Sequence, residues 1–195
     1  MSTANKLERD RKGLTDEFRD CLLHLIGEPF LFMSRGYGGE LILHFGERVI
    51  GPVRKTKHGE FRHKHGTFSL HLRGSAWLIK SGVSEAILAE GLEAGFIKAL
   101  GEPIRNAVEA EECPIEPGAV ATAMKPFPHS RPDVNGIGLR VDLSDGSTAI
   151  AIPTTDEVNP DGEAVGELAD WELKTPQFTL HVGPGQKWHV EPSPA

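Results

Sequence analysis

Two stretches far apart in the chain read almost alike. Phe68-Ser69-Leu70-His71-Leu72 matches Phe178-Thr179-Leu180-His181-Val182. In both, apolar and polar residues alternate, the period of a strand with one buried and one wetter face. Each stretch leads to a glycine and then a tryptophan: Gly74-Ser75-Ala76-Trp77 in the first, Gly185-Gln186-Lys187-Trp188 in the second. Upstream, Gly27-Glu28-Pro29 recurs as Gly101-Glu102-Pro103. A single short match arises easily by chance. Several in the same order point to duplication. The second half is longer, and the Pro-rich segment 112–135 and the acidic segment 153–167 are the candidate insertions.

Local signals fill in the elements. Thr15 can cap a helix over 15–26, with Asp16 and Glu17 at its positive end and Phe18, Cys21, Leu22 and Leu25 on one stripe. Gly27 and Pro29 stop it. A second helix is expected over 85–100, capped by Ser84, with Leu88, Leu92, Phe96 and Ala99 on its stripe. Period-two alternation marks strands at 41–45, 68–72 and 139–144, and Asp145-Gly146 suits a hairpin. The expected fold class is α+β: two tandem related units, each one helix plus an antiparallel β-meander, packed as one compact domain. The units are 14–82 and 83–190, with a flexible N-terminus at 1–13 and a tail at 191–195. The tryptophans Trp77, Trp171 and Trp188 are read as core anchors.

The chain begins without an apolar leader, and no apolar stretch approaches the ~20 residues of a membrane helix. Its two cysteines, Cys21 and Cys113, are read as reduced, and the expected location is the cytoplasm. No zinc-protease, nucleophile-elbow, P-loop or dinucleotide motif occurs. The glycine clusters at 36–39 and 183–185 flank strands, so tight turns explain them better than phosphate cradles.

The net charge of −7 argues against nucleic acid binding over the whole surface. It is unevenly spread. Nine acids and no Lys or Arg lie between Asp142 and Glu172, while Arg54, Lys55, Lys57, Arg62 and Lys64 face only Glu60 in the stretch 54–65. That polarity suits partner binding or head-to-tail self-association. His63 and His65 have metal-ligand spacing, but the surrounding positive charge repels a divalent cation, so no metal or cofactor is expected. His44, His71 and His181 fall on the polar phase of three strands. If those strands are neighbours, they share one face, together with Asp142, as a polar pocket or acid–base pair.

Gly27–Pro29, Ser34–Gly36 and Phe45–Glu47, together with Trp171-Glu172-Leu173-Lys174-Thr175-Pro176, Val182–Gly185 and Trp188, resemble a family of small uncharacterised bacterial proteins. The resemblance spans most of 20–190. Its motifs are structural and imply no catalytic or ligand residues. The expected function is a non-enzymatic binding or interaction protein, immunity-like, with a protein partner. The candidate binding residues are Arg54, Lys55, Lys57, Arg62, His63, Lys64 and His65, with His44, His71 and His181 as a second set. The alternative is a small-ligand-binding protein or enzyme with a pocket between the two units.

Overall fold

The structure is a computed structural model describing residues 11–36, 40–57, 59–73, 75–84, 87–90, 113–128, 136–153 and 170–193. The chain runs through β1 (Arg11–Lys12), α1 (Asp16–Leu23), β2 (Phe30–Arg35), β3 (Leu41–Thr56), β4 (Gly59–Leu72), β5 (Ser75–Lys80) and β6 (Ile87–Glu90). It continues through β7 (Ala121–Phe127), β8 (Gly138–Leu143), β9 (Thr148–Pro153), β10 (Trp171–Lys174), β11 (Phe178–Gly183) and β12 (Lys187–Pro192).

The alternating residues form two antiparallel sheets. One has seven strands in the order β1-β12-β11-β10-β4-β3-β2, the other five in the order β6-β5-β9-β8-β7. Their inner faces share one apolar core. Leu41, Leu43, Phe45, Leu70, Leu72, Trp171, Leu173, Leu180 and Val182 enter it from the first sheet, and Trp77, Ile79, Leu139, Val141 and Ala151 from the second. All three tryptophans are buried there. In the second sheet Ala76, Leu78, Ile150 and Ile152 are buried on the opposite face too. That accounts for the unbroken apolar runs in β5 and β9.

This is a mainly β fold, not the expected α+β arrangement with one helix per unit. Among the described residues there is a single α-helix. At the expected second helix, Ile87–Glu90 is an edge strand paired with β5, Leu88 opposite Ile79. Leu88 fits a helical stripe and a strand equally well, and pairing decides such short apolar runs. Residues 85–86 and 91–100, and the second Gly-Glu-Pro, lie outside the described residues. The seven-stranded sheet also draws strands from both sequence halves. In the stretch expected to be flexible, Arg11 and Lys12 pair with Trp188 and Lys187.

The helix near the N-terminus forms with its expected cap but ends at Leu23, short of the expected 26. Thr15 Oγ1 accepts from the Phe18 N–H at 3.2 Å. Gly27, at φ +91°, then turns the chain and donates its N–H to the Ala121 carbonyl at 2.9 Å. The Phe18 ring is fully buried and sits 6.1 Å from Trp171 and 5.4 Å from Trp188. Phe18→Ala is expected to cost about 3–5 kcal/mol in urea denaturation followed by tryptophan fluorescence. A loss below about 1 kcal/mol would show that the helix does not organise this core.

Candidate functional site

The repeated motif has a direct structural meaning. Its two copies, on β4 and β11, flank the short strand β10 and pair with it at the same level. Leu70 and Leu180 both oppose Leu173 toward the core, and His71 and His181 both oppose Glu172 on the outer face. His189 on β12 extends the row and stacks on His181 at 4.6 Å. In the next row Ser69 lies between Lys174 and His44.

Glu172 is 4% exposed. Its Oε1 accepts from His181 Nδ1 at 2.9 Å, and its Oε2 lies 3.4 Å from Arg73 and 3.5 Å from Lys174. Burial pushes its pKa up, but the His181 hydrogen bond and the two cations outweigh this and hold it at about 2. Glu40 accepts from His71 Nδ1 at 2.9 Å and from Arg73 Nε at 2.8 Å. These bonds overcome the effect of burial and keep Glu40 ionised below the usual carboxylate range. An ionised Glu40 requires the proton on His71 Nδ1, so His71 Nε2 accepts from Ser69 Oγ at 3.0 Å. Burial, then the Lys174 charge, lowers the His71 pKa.

His44 is a separate neutral site. Its Nδ1 accepts from the Gly66 N–H at 3.3 Å, its Nε2 faces Ser34 Oγ at 2.9 Å, and Phe32 stacks on it at 4.4 Å. Burial lowers its pKa to about 4, with neighbouring histidines contributing. Gly66 is required here, because a Cβ would run into the Phe45 backbone.

The structure thus brings His71 and His181 onto one face, with His44 adjoining. It does not place Asp142 there. Asp142 lies on β8 in the other sheet, held by Arg140 at 2.6 Å and Lys125 at 3.1 Å. The residues missed from sequence are Glu40, Ser69, Arg73, Glu172 and Lys174. Glu172 was hidden inside the acidic run, although the alternation in Trp171-Glu172-Leu173-Lys174 puts it on the histidine phase. Of that run, Asp156, Glu157, Asp161, Glu163 and Glu167 lie outside the described residues. Asp145 accepts from the Ser147 N–H at 2.8 Å, so it secures a turn.

The basic candidates lie elsewhere. The hairpin β3–β4 pairs on as far as Thr56 opposite Gly59, while β2 accompanies it only to Phe45 and β10 only from Ser69. Beyond those points it is a two-stranded arm. Arg54, Lys55, Lys57, Arg62, His63 and Lys64 are exposed on it, and His65 is half-buried. Among the described residues of this group only Lys55 is in an ion pair, with Glu60 at 3.0 Å. His58 lies outside the described residues.

A cleft of about 340 Å³ lies between Leu14 and Gln186 and the strand ends at Phe127, Pro128, Ile137 and Gly138. Among the described residues no histidine lines it. Among the described residues no cluster of His, Cys, Asp or Glu is arranged to hold a metal ion. None of their helices is long and apolar enough to cross a membrane. Comparison with protein-family models, curated proteins and solved structures finds no match.

His44 and Glu172 predict acid sensitivity in separate windows. His44 is harder to protonate folded than unfolded, so it removes stability as pH falls from about 6.5 to about 4. Glu172 is easier to ionise folded, so its contribution is full above about pH 4.5 and lost as pH falls to about 2. His44→Gln should flatten the urea-stability profile between about pH 6.5 and 4. Glu172→Gln should cost on the order of 2–3 kcal/mol at pH 7, with the gap to wild type closing below about pH 4.5. Parallel profiles for wild type and both variants would contradict these assignments.

Proposed function

We propose that this is a binding protein that engages an acidic protein segment through the β3–β4 arm. The observation carrying this reading is the arm itself: a ribbon with exposed Arg48, Arg54, Lys55, Lys57, Arg62 and Lys64 that leaves the seven-stranded sheet. Charges of one sign on a projecting element speed encounter with an opposite surface and select against like-charged partners. Two further features favour a protein segment over a phosphate backbone. Ile50 and Val53 are 54% and 44% exposed on the arm, which suits a partner with apolar side chains. Both arm strands also have an unpaired edge among the described residues, a template for an added extended strand.

The test measures binding of a fluorescent acidic peptide, alternating Glu with Val, to the full chain by anisotropy over a salt series. The expected result is binding that weakens as salt rises, and at least about tenfold further weakening in a variant with Arg54, Lys57, Arg62 and Lys64 replaced by Ser. These positions are exposed, so each replacement should change stability by less than about 0.5 kcal/mol. Equal binding by the variant, or tighter binding of a DNA duplex of matched charge, would overturn the reading.

A further inference from the structure

We propose that Ser69, His71 and Glu40 form a nucleophilic relay on the outer face of the seven-stranded sheet, acting on small acyl esters. The site is independent of the arm and extends the function beyond partner binding. Its basis is geometric. Ser69 and His71 are two residues apart on β4, so both project from the same face, where Ser69 keeps only 8% of its surface exposed and access is limited to small esters. Ser69 Oγ lies 3.0 Å from His71 Nε2, and His71 Nδ1 lies 2.9 Å from Glu40 Oε1. Nucleophile, base and orienting carboxylate are therefore in hydrogen-bond contact in the order that acyl transfer uses. Arg73 Nε holds the same Glu40 oxygen at 2.8 Å and so fixes the carboxylate.

The second copy of the motif is an internal comparison. There His181 Nδ1 contacts Glu172 in the same way, but its Nε2 faces Glu191 Oε2 at 3.4 Å instead of a hydroxyl. A histidine on this sheet face can thus be held by a carboxylate at Nδ1 with no hydroxyl at Nε2. Only the first copy directs its free nitrogen to a serine. Lys174 opposes Ser69 in the register; its ammonium lies 3.5 Å from Glu172 Oε2, and its charge reaches His71.

In the reaction Ser69 Oγ attacks the ester carbonyl carbon while its proton passes to His71 Nε2. The carbonyl electron pair moves onto oxygen. Collapse re-forms the carbonyl and breaks the bond to the leaving alkoxide, which takes the proton from His71. Water then attacks the acyl-serine, gives its proton to His71, and Ser69 recovers that proton as the acid departs. The charged groups that act on His71 are Lys174, Glu40 and Glu172; Arg73 faces it through Glu40, and His44 lies beyond Ser69.

The full-length wild-type chain is treated with a fluorophosphonate probe and, separately, with p-nitrophenyl acetate, from about pH 6 to 9. The expected result is one phosphonyl group per folded chain, located on Ser69 by peptide mass spectrometry, with none at that position in Ser69→Ala. His71→Gln should slow labelling at least about 100-fold. Glu40 is a positioning residue, so Glu40→Gln should slow labelling about tenfold and also move its pH limb downward, because a carboxylate that raises the His71 pKa is gone. A limb that stays in place would assign Glu40 a purely structural role and overturn the relay. Wild-type protein that is folded by circular dichroism yet unlabelled, or esterase activity unchanged in Ser69→Ala, would overturn the proposal outright.

Discussion

Strand β10 is four residues long, yet the seven-stranded sheet depends on it. It pairs with β4 on one side and β11 on the other, so it joins the hairpin of the first half to the hairpin of the last. Its inner side places Trp171 and Leu173 in the core, both fully buried. Its outer side sets Glu172 between two histidines. Trp171 Nε1 also donates to the Ile137 carbonyl at 2.7 Å, tying this strand to the chain that enters the second sheet. Asp170, just before it, accepts at its carbonyl from the Arg73 N–H at 3.1 Å and from Ser75 Oγ at 2.9 Å. That corner is where the chain crosses from one sheet to the other. Contacts so distant in sequence form only after long loops close, which makes such folds slow to assemble.

A polar face this buried is stable only if its charges are matched. An unpaired buried carboxylate costs several kcal/mol, and removing one partner leaves the other uncompensated. Here Glu40 and Glu172 share Arg73, and each also holds a histidine. The same constraints fix imidazole tautomers. A histidine whose Nδ1 donates to a carboxylate presents Nε2 as an acceptor, so satisfying the charges also orients a base. Structural and chemical roles are therefore not alternatives at His71.

Charge on the described surface is organised by distance from the core. Near the sheets, opposite charges meet in close pairs, as Asp142 does with Arg140 and Lys125. Along the arm, cations outnumber their partners, and no third strand accompanies them among the described residues. An isolated two-stranded ribbon is marginal in water. This one is anchored where its proximal halves become central strands of a large sheet, and its positive edges resist uncontrolled strand pairing. The total of −7 conceals that division.

Much of the local structure was legible in the residues. Thr15, Phe18 and Gly27 marked the helix and its turn, alternation marked parts of β3, β4, β8 and β11, and the repeated motif put His71 and His181 on the same phase of two strands. A two-residue period states which face a side chain occupies, and that face was read correctly for both. It cannot state which strand lies alongside. The pairing of both motif copies with β10, the arrival of Glu40 beside His71, the assignment of Asp142 to the other sheet and the strand at Ile87–Glu90 were decided by tertiary structure. Strand neighbours are chosen by core packing and ladder hydrogen bonds between distant segments, and no local pattern encodes that choice.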